Sequence, residues 1–156
     1  MVKETDTGEH NVCVNRQARH NYFIEETYEA GLILLGSEVK SLRDGKANLT
    51  DSYARIQKGE AFLVNAHVSH YPGANQFNHE PTRTRKLLLH AREIERLTGK
   101  TKERGLTLVP LRLYFRSGRA KVELGLARGK KLYDKRETLR RKVAQREVER
   151  SLKARK

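Results

Sequence analysis

Apolar and polar residues alternate most regularly between positions 111 and 126: Leu111, Leu113 and Phe115 precede Ser117-Gly118, and Ala120, Val122, Leu124 and Leu126 follow it. A period of two interrupted by a two-residue turn predicts a β-hairpin with one buried face. Pro110 has no N–H to give to a ladder, so the strand after it must begin at an edge or a bulge. The same pattern predicts a second hairpin over Tyr53 to Val64, turning at Lys58-Gly59, and a long first strand from about Tyr22 to Leu35.

Helical spacing is sparser. Ser37 can cap a short helix that carries Val39 and Leu42 inward and ends at Asp44-Gly45, while Leu87, Ala91 and Ile94 share a helical face in a segment ended at Gly99. A short turn over Thr101 to Arg104 stops at Gly105. Asn75 to Arg85, with Pro81 and few apolar residues, reads as an exposed loop, and the polar stretch Met1 to Asn11 as disordered. Short sequential antiparallel strands must hide their edges, which predicts a mainly β fold with short helices, built as a small closed antiparallel barrel. The expected organisation is a disordered N-terminus over 1–12, a barrel domain over 13–127 and a basic C-terminal tail over 128–156.

Residues 136–156 contain no Gly or Pro, and Glu149 with Lys153 makes a favourable i,i+4 pair, so helical propensity is real. Their apolar positions do not form one stripe, however. At about 100° per residue, Leu139 and Val143 fall roughly between 0 and 40°, whereas Ala144, Val148 and Leu152 fall roughly between 140 and 220°. No single face can dock on a core. The tail is therefore expected to be disordered when free and helical against an extended anionic surface that meets most of its circumference.

Charge changes the picture further. The 156 residues include 33 Lys+Arg against 19 Asp+Glu, a formal net charge of +14. Residues 128–156 hold 13 basic and 4 acidic side chains, net +9, which leaves 20 basic and 15 acidic in the first 127, net +5. Such a run can be a solvated tail that aids solubility, but counterion release also makes it a ready nucleic-acid arm. A hydrophobic fraction of 37%, below the ~45–50% usual for globular chains, agrees that part of the chain lies outside the core. No apolar run approaches ~18 residues and the N-terminus lacks a signal-peptide core, so a soluble cytoplasmic protein without membrane contact is expected. Cys13 stands alone and can form no internal disulfide. The six histidines are scattered except for His67 and His70, and no metal site is expected.

Active-site patterns are absent. Gly125 to Lys131 (GLARGKK) is one residue short of P-loop spacing, and Leu132 stands where a magnesium-binding hydroxyl is needed. Glu25-Glu26 and Glu93/Glu95 fall on surface faces, and Cys13 has no neighbouring His. No catalytic residue, no cofactor and no enzymatic activity is expected. Basic clusters are present at Arg16/Arg19/His20, Lys40/Arg43/Lys46, Arg83/Arg85/Lys86 and Arg116/Arg119/Lys121. Tyr22, Phe23 and Tyr28 either stack on bases or belong to the core. With no Trp and 6% aromatic residues, recognition of a structured RNA by shape and backbone fits better than reading of splayed bases.

Several blocks carry a family resemblance: Asn15 to Glu26 (NRQARHNYFIEE), Glu29 to Leu32, Gly36 to Arg43 (GSEVKSLR), Lys46 to Tyr53 (KANLTDSY), Pro81 to Leu89 (PTRTRKLLL), and Ala127 to Lys131 with Asp134-Lys135-Arg136. Collinear over about residues 13–156, they closely resemble the SsrA-binding protein family, also called small protein B. The resemblance implies an oligonucleotide-binding-type barrel. It also implies a non-enzymatic bacterial protein that binds the tRNA-like domain of transfer-messenger RNA and delivers it to stalled ribosomes, its tail occupying the decoding centre and the empty mRNA channel. Trans-translation, with tagging of incomplete proteins for degradation, would follow. Implied partners are transfer-messenger RNA, small-subunit ribosomal RNA and elongation factor Tu with the charged RNA, the protein itself being a monomer.

Carried over by motif position, the resemblance assigns Asn15, Tyr22, Glu29, Leu88 and Lys121 to the grip on the tRNA-like domain, and Lys40, Arg43, Arg83, Arg85 and Lys86 join them as basic candidates. His20, Gly129, Lys130 and Lys131 would face the decoding centre, and Asp134, Lys135 and Arg136 would start the tail helix. Glu29 cannot favourably touch phosphate. It would accept hydrogen bonds from base or ribose donors, or orient a neighbouring Arg. Leu88 could equally pack in the core, and Gly129 could turn the chain sharply through positive φ. After Tyr133 the tail has no aromatic residue, so Leu139, Val143, Val148 and Leu152 would supply its apolar contacts. A structural small-subunit ribosomal protein, sharing the basic tail and the barrel, is the alternative reading.

Overall fold

A computed structural model describes residues 9–102, 105–130 and 132–154, the side chains of 75–77, 132–135, 137–138 and 154 excepted. The hairpin expected around Ser117-Gly118 is formed by β8 (Leu106–Arg116) and β9 (Arg119–Gly129), whose turn residues have φ of 50° and 78°. Two consecutive positive φ values match the right-handed twist of the flanking strands. Lys58 and Gly59, at φ 52° and 75°, do the same between β4 (Tyr53–Gln57) and β5 (Glu60–Val64).

β1 (Glu9–Val14) pairs with β8, so residues 9–12, expected to be disordered, are in fact strand. Half-buried Val12 and Cys13 pack against the main core and hold it there. Tyr22–Leu32 forms β2, which stops short of Leu35 because the Leu35 N–H is captured by Glu38 Oε1 at 2.8 Å, opening a helix. Two short strands, β3 (Ala47–Asn48) and β6 (His67–Val68), pair separately. Leu87, expected on a helical face, lies instead in β7 (Arg85–Leu88), where the β ladder places it opposite Leu32 and Ala61.

The main sheet runs in the order β1-β8-β4-β5-β7-β2-β9, and β9 returns to β8, so the antiparallel strands close into a ring. Closure leaves β8 with three neighbours. One edge serves β9 throughout; the other meets β4 at Leu108 and β1 along Arg112 to Arg116. Contrary to expectation the strand does not begin after Pro110 but runs through it; of the edge or bulge expected there, a bulge between Pro110 and Arg112 separates these two stretches. It also corrects the single-face reading of the strand, because Leu113 and Phe115 enter the main core while Leu111 joins Ala18, Val109 and Ala127 in a second, smaller cluster.

Four helices attach to the ring among the described residues. α1 (Arg16–Asn21) supplies Ala18 to the smaller cluster, which Tyr22 and Ile24 also line. Gly125 permits that packing, since a Cβ there would stand 3.2 Å from both Ile24 and Leu111. α2 (Gly36–Arg43) buries Leu42, and α3 (Ala91–Lys100) buries Leu97. α4 (Leu132–Ala154) is the tail. The stretch 75–85, expected to be an exposed loop, buries His79 and Arg85: the His79 ring bridges Ser37 Oγ and the Val68 carbonyl, each at 2.8 Å.

Candidate nucleic-acid interface

Three of the expected RNA residues converge on one outer patch of the ring. Ala30 and Leu32 of β2 enter the core, which leaves Glu29 and Gly31 on the outside. Gly31 pairs with Lys121 on one side and Leu88 on the other. A cleft of about 280 Å³ results, lined by Glu29, Gly31, Leu88 and Lys121 with the start of α3. Glycine is needed at its centre, because a Cβ at position 31 would press on the Leu88 Cβ at 3.3 Å. Leu88 itself is 54% exposed, which removes the core-packing reading.

Glu29 is held from behind. Its Oε2 accepts from the Tyr114 hydroxyl and forms an ion pair with Arg116 Nη1 at 2.8 Å. Tyr114 is buried beneath the guanidinium of Arg112, 4.0 Å from its ring centroid, and that of Arg116 at 5.9 Å. Burial, reinforced by the Glu29 carboxylate, pushes the Tyr114 hydroxyl far above its ordinary pKa, so it remains a donor. Glu9 of β1 pairs with both arginines, and Arg112 also reaches Glu123 at 3.5 Å. Hydrogen bonding to Arg116 leads the causes that lower the Glu9 pKa. Sequence reasoning found Arg116 but missed Glu9, Arg112 and Tyr114. Positions 112, 114 and 116 alternate with core residues Leu113 and Phe115, and that outward stripe was the available signal.

A second group forms where the tail leaves the ring. Gly129 ends β9 opposite Tyr22. The Lys130 N–H then donates to the Asn21 carbonyl at 2.9 Å, and its ammonium donates to the Arg19 carbonyl at 3.0 Å while lying 5.0 Å from the Phe23 ring centroid. Gly129 and Lys130 are thereby tied to the helix that carries half-buried His20. Gly129 does not use left-handed φ, contrary to expectation; strand geometry delivers the chain to the tail. Among the described side chains, those of Arg136 and of residues 139–153 are all exposed, with Leu139, Val143, Val148 and Leu152 between 49% and 59%. Lys131 lies outside the described residues, as do the side chains of Asp134 and Lys135 in the first turns of α4.

The remaining candidates divide. Asn15 anchors α1 by donating from Nδ2 to the Pro110 carbonyl at 2.9 Å, and shares a polar cleft with Gln17, Asn21, Tyr22, Thr50 and Ser52. Lys40 and Arg43 are exposed on α2, over the rings of Tyr71 and Phe115 at 5.5 and 6.0 Å. Lys86 is half-buried and paired with Glu60 at 3.1 Å. Arg85 is corrected: it turns inward to Glu38 at 2.6 Å and has no exposed side-chain surface to offer RNA, whereas Arg83 pairs with Glu38 at 2.7 Å and keeps 32% of its side chain exposed. The carboxylates expected to be solvated are also engaged. Glu26 binds Arg96, and Glu93 Oε1 accepts the His90 N–H at 3.1 Å at the start of α3. No cluster of three metal-binding side chains occurs among the described residues, and no described helix is long and apolar enough to cross a membrane.

A closed ring presenting a shaped, mixed-charge cleft, with a strongly basic helix whose described side chains are exposed, defines a class: a polyanion-binding adaptor. The SmpB protein model matches residues 12–154, and the chain belongs to that family. It is 66% identical over 143 residues to the SsrA-binding protein of Desulforudis audaxviator (strain MP104C), covering 92% of this chain and 94% of that one. With the SsrA-binding protein of Geobacillus thermodenitrificans (strain NG80-2) it shares 62% over 144 residues, 92% and 93% of the two chains. A chain in a solved structure described as "tmRNA-SmpB: a journey to the center of the bacterial ribosome" superimposes with a TM-score of 0.68 at 53% identity, over 83% of this chain and 94% of that one.

Proposed function

We propose that this protein binds the tRNA-like domain of transfer-messenger RNA and delivers it to stalled ribosomes, where α4 lies in the decoding centre and the empty mRNA channel and so enables trans-translation. The separation of the two charged surfaces carries the reading. Glu29, Leu88 and Lys121 make a compact cleft suited to a folded RNA end, and α4 exposes its described side chains to solvent. A helix that is basic around its circumference and has no core to dock on matches a channel walled by phosphates. His20, Gly129 and Lys130 sit at the root of that helix, at the end of β9 away from Lys121. Asn15, Tyr22, Lys40 and Arg43 add to the ring's grip, while Arg83 and Arg85 hold the ring together. Elongation factor Tu, arriving with the charged RNA, would complete the delivered particle.

Sequencing of RNA that co-purifies with the native protein tests the proposal. One RNA with a tRNA-like end should dominate. Stoichiometric retention of bulk ribosomal RNA without it would overturn the reading.

A further inference from the structure

Leu97 of α3 packs into the core, which leaves Arg92, Glu95, Arg96 and Gly99 exposed; with half-buried Lys100 they line an open groove of about 640 Å³. Arg92, Arg96 and Lys100 are spaced at i, i+4 and i+8, so they form one stripe with a rise of ~6 Å between successive members. Like charges at that spacing weaken a helix, and glycine in its last turn weakens it further. The φ of Gly99 is not left-handed, and a Cβ there would meet nothing within 4 Å, so neither conformation nor packing calls for glycine. What it provides is clearance beside Arg96, through which a ligand can approach the helix backbone.

Arg96 is held rather than free to swing. Its Nε and Nη2 donate to Glu26 of β2, and Nε also donates to the Tyr28 hydroxyl at 3.1 Å, which in turn donates to Glu26 Oε2 at 2.8 Å. Hydrogen bonding to Arg96 leads the causes that hold the Glu26 carboxyl below its ordinary pKa, so this clamp stays charged. Nη1 has no hydrogen bond among the described residues and is the edge left for a ligand. Arg92 makes no ion pair among them either. A planar guanidinium fixed along one edge offers the remaining donors, already oriented, to an oxyanion.

Cations one helical turn apart, with clearance beside them, match a strand that repeats an anion at a comparable interval, as the phosphates of RNA do. The start of α3, His90 and Glu93, borders the cleft beside Gly31, so an RNA strand leaving that cleft along the helix meets Arg92 next. Glu95 is the one carboxylate on the groove among the described residues. We propose that the α3 groove is a phosphate-backbone contact in which Arg92 and Arg96, with Lys100, hold successive phosphates of the bound RNA where it passes Gly99. Tyr28 and Glu26 are positioning residues that fix the Arg96 edge. The proposal rests on the tRNA-like RNA being the ligand of the ring.

Binding of the full-length protein to a tRNA-like-domain RNA, measured over a series of salt concentrations, tests it. Arg92→Gln and Arg96→Gln should each weaken binding and each lower the slope of log K against log salt by about one. Glu95→Gln should bind more tightly, because its carboxylate repels phosphate; weaker binding would show that Glu95 accepts from a base or ribose and that the groove is no backbone contact. Gly99→Gln should lose as much affinity as Arg96→Gln while its melting temperature stays the same or rises, since the new side chain fills the clearance and improves the helix. Tyr28→Phe should weaken binding in the wild-type background and do nothing further in Arg96→Gln; a loss that adds to Arg96→Gln would overturn its positioning role. Unchanged slopes in both arginine variants, the result expected if the groove takes an acidic protein instead, would overturn the phosphate contact although the RNA still binds. If the wild-type protein does not bind this RNA, the proposed function fails first, and the groove assignment falls with it.

Discussion

Glu38 Oε2 lies 2.6 Å from Arg85 Nε, with both side chains fully withdrawn from solvent. Around them Glu38 also accepts from the Leu35 N–H and from Arg83, while Arg85 donates to the carbonyls of Ala66 at 2.8 Å and Pro81 at 3.1 Å. This carboxylate and its fork of donors join α2, the stretch before β6 and the Pro81 turn. Removing one partner would leave the other buried and unpaired, at a cost of ~3–5 kcal/mol. Arg85→Ala should therefore lower the melting temperature by roughly 10 °C, with unchanged RNA affinity per folded molecule. Arg83, whose side chain is 32% exposed, should cost less when removed. Lost RNA affinity in Arg85→Ala with an unaltered melt would return this residue to the interface.

The same triad sets an acid limit. Burial alone would raise the Glu38 pKa, but Arg83, the Leu35 N–H and Arg85 outweigh it and hold the group below 4.5. A depressed folded pKa contributes stability that is complete above the unfolded value and is lost as pH falls through the folded one. Wild-type unfolding free energy, read from urea titrations, should thus fall between pH 6 and pH 3. In Glu38→Gln the fall should be smaller, starting from a lower value. Equal slopes in the two proteins would show that other carboxylates govern the acid limb.

The two hairpins and the irregularity at Pro110 were legible in the sequence because each rests on local rules: period-two alternation, positive-φ turns and a missing N–H. Residues 9–12 were not legible, since a polar strand is stabilised by the edge it completes and that edge lies about 100 residues away in β8. Arg85 misled for a related reason. A basic cluster looks the same whether it faces solvent or a buried carboxylate, and only the fold brings Glu38 to it. Of the five residues that motif resemblance grouped, one cleft holds Glu29, Leu88 and Lys121, while Asn15 and Tyr22 line another; the resemblance could not show that Tyr114 and Arg116 stand behind Glu29.

Lys121 separates electrostatic from structural contributions at that cleft. It is half-buried at the rim and no described ion pair depends on it, so Lys121→Ala should leave the thermal melt within about 1 °C while weakening RNA binding. If its ammonium meets a base edge rather than a phosphate, the slope of log K against log salt should stay nearly the same. A slope reduced by about one would place Lys121 on the backbone instead.

Cutting the chain after Lys130 should leave the ring complete, because Gly129 keeps its pairing with Tyr22 and Lys130 keeps its bond to Asn21. Affinity for the tRNA-like RNA should be close to that of the full chain, while tagging on ribosomes stalled without a stop codon should be abolished. Loss of free-RNA binding on truncation would contradict the division between ring and tail.

The tail's own physics supplies the final expectation. α4 has strong helix formers but leaves Leu139, Val143, Val148 and Leu152 exposed, and like charges recur at i,i+4: Arg136 with Arg140, and Arg146 with Lys142 and Arg150. Isolated helices gain little in water without tertiary packing, and repulsion between such charges lowers that gain. A peptide of residues 128–156 should therefore show low helicity by circular dichroism in dilute buffer. Raising the salt should increase helicity moderately by screening, and adding structured polyanionic RNA should increase it far more, because phosphates neutralise the circumference that solvent leaves repulsive. Strong helicity in dilute buffer, unchanged by RNA, would mean that α4 is a preformed rod and that its ordering is not coupled to binding.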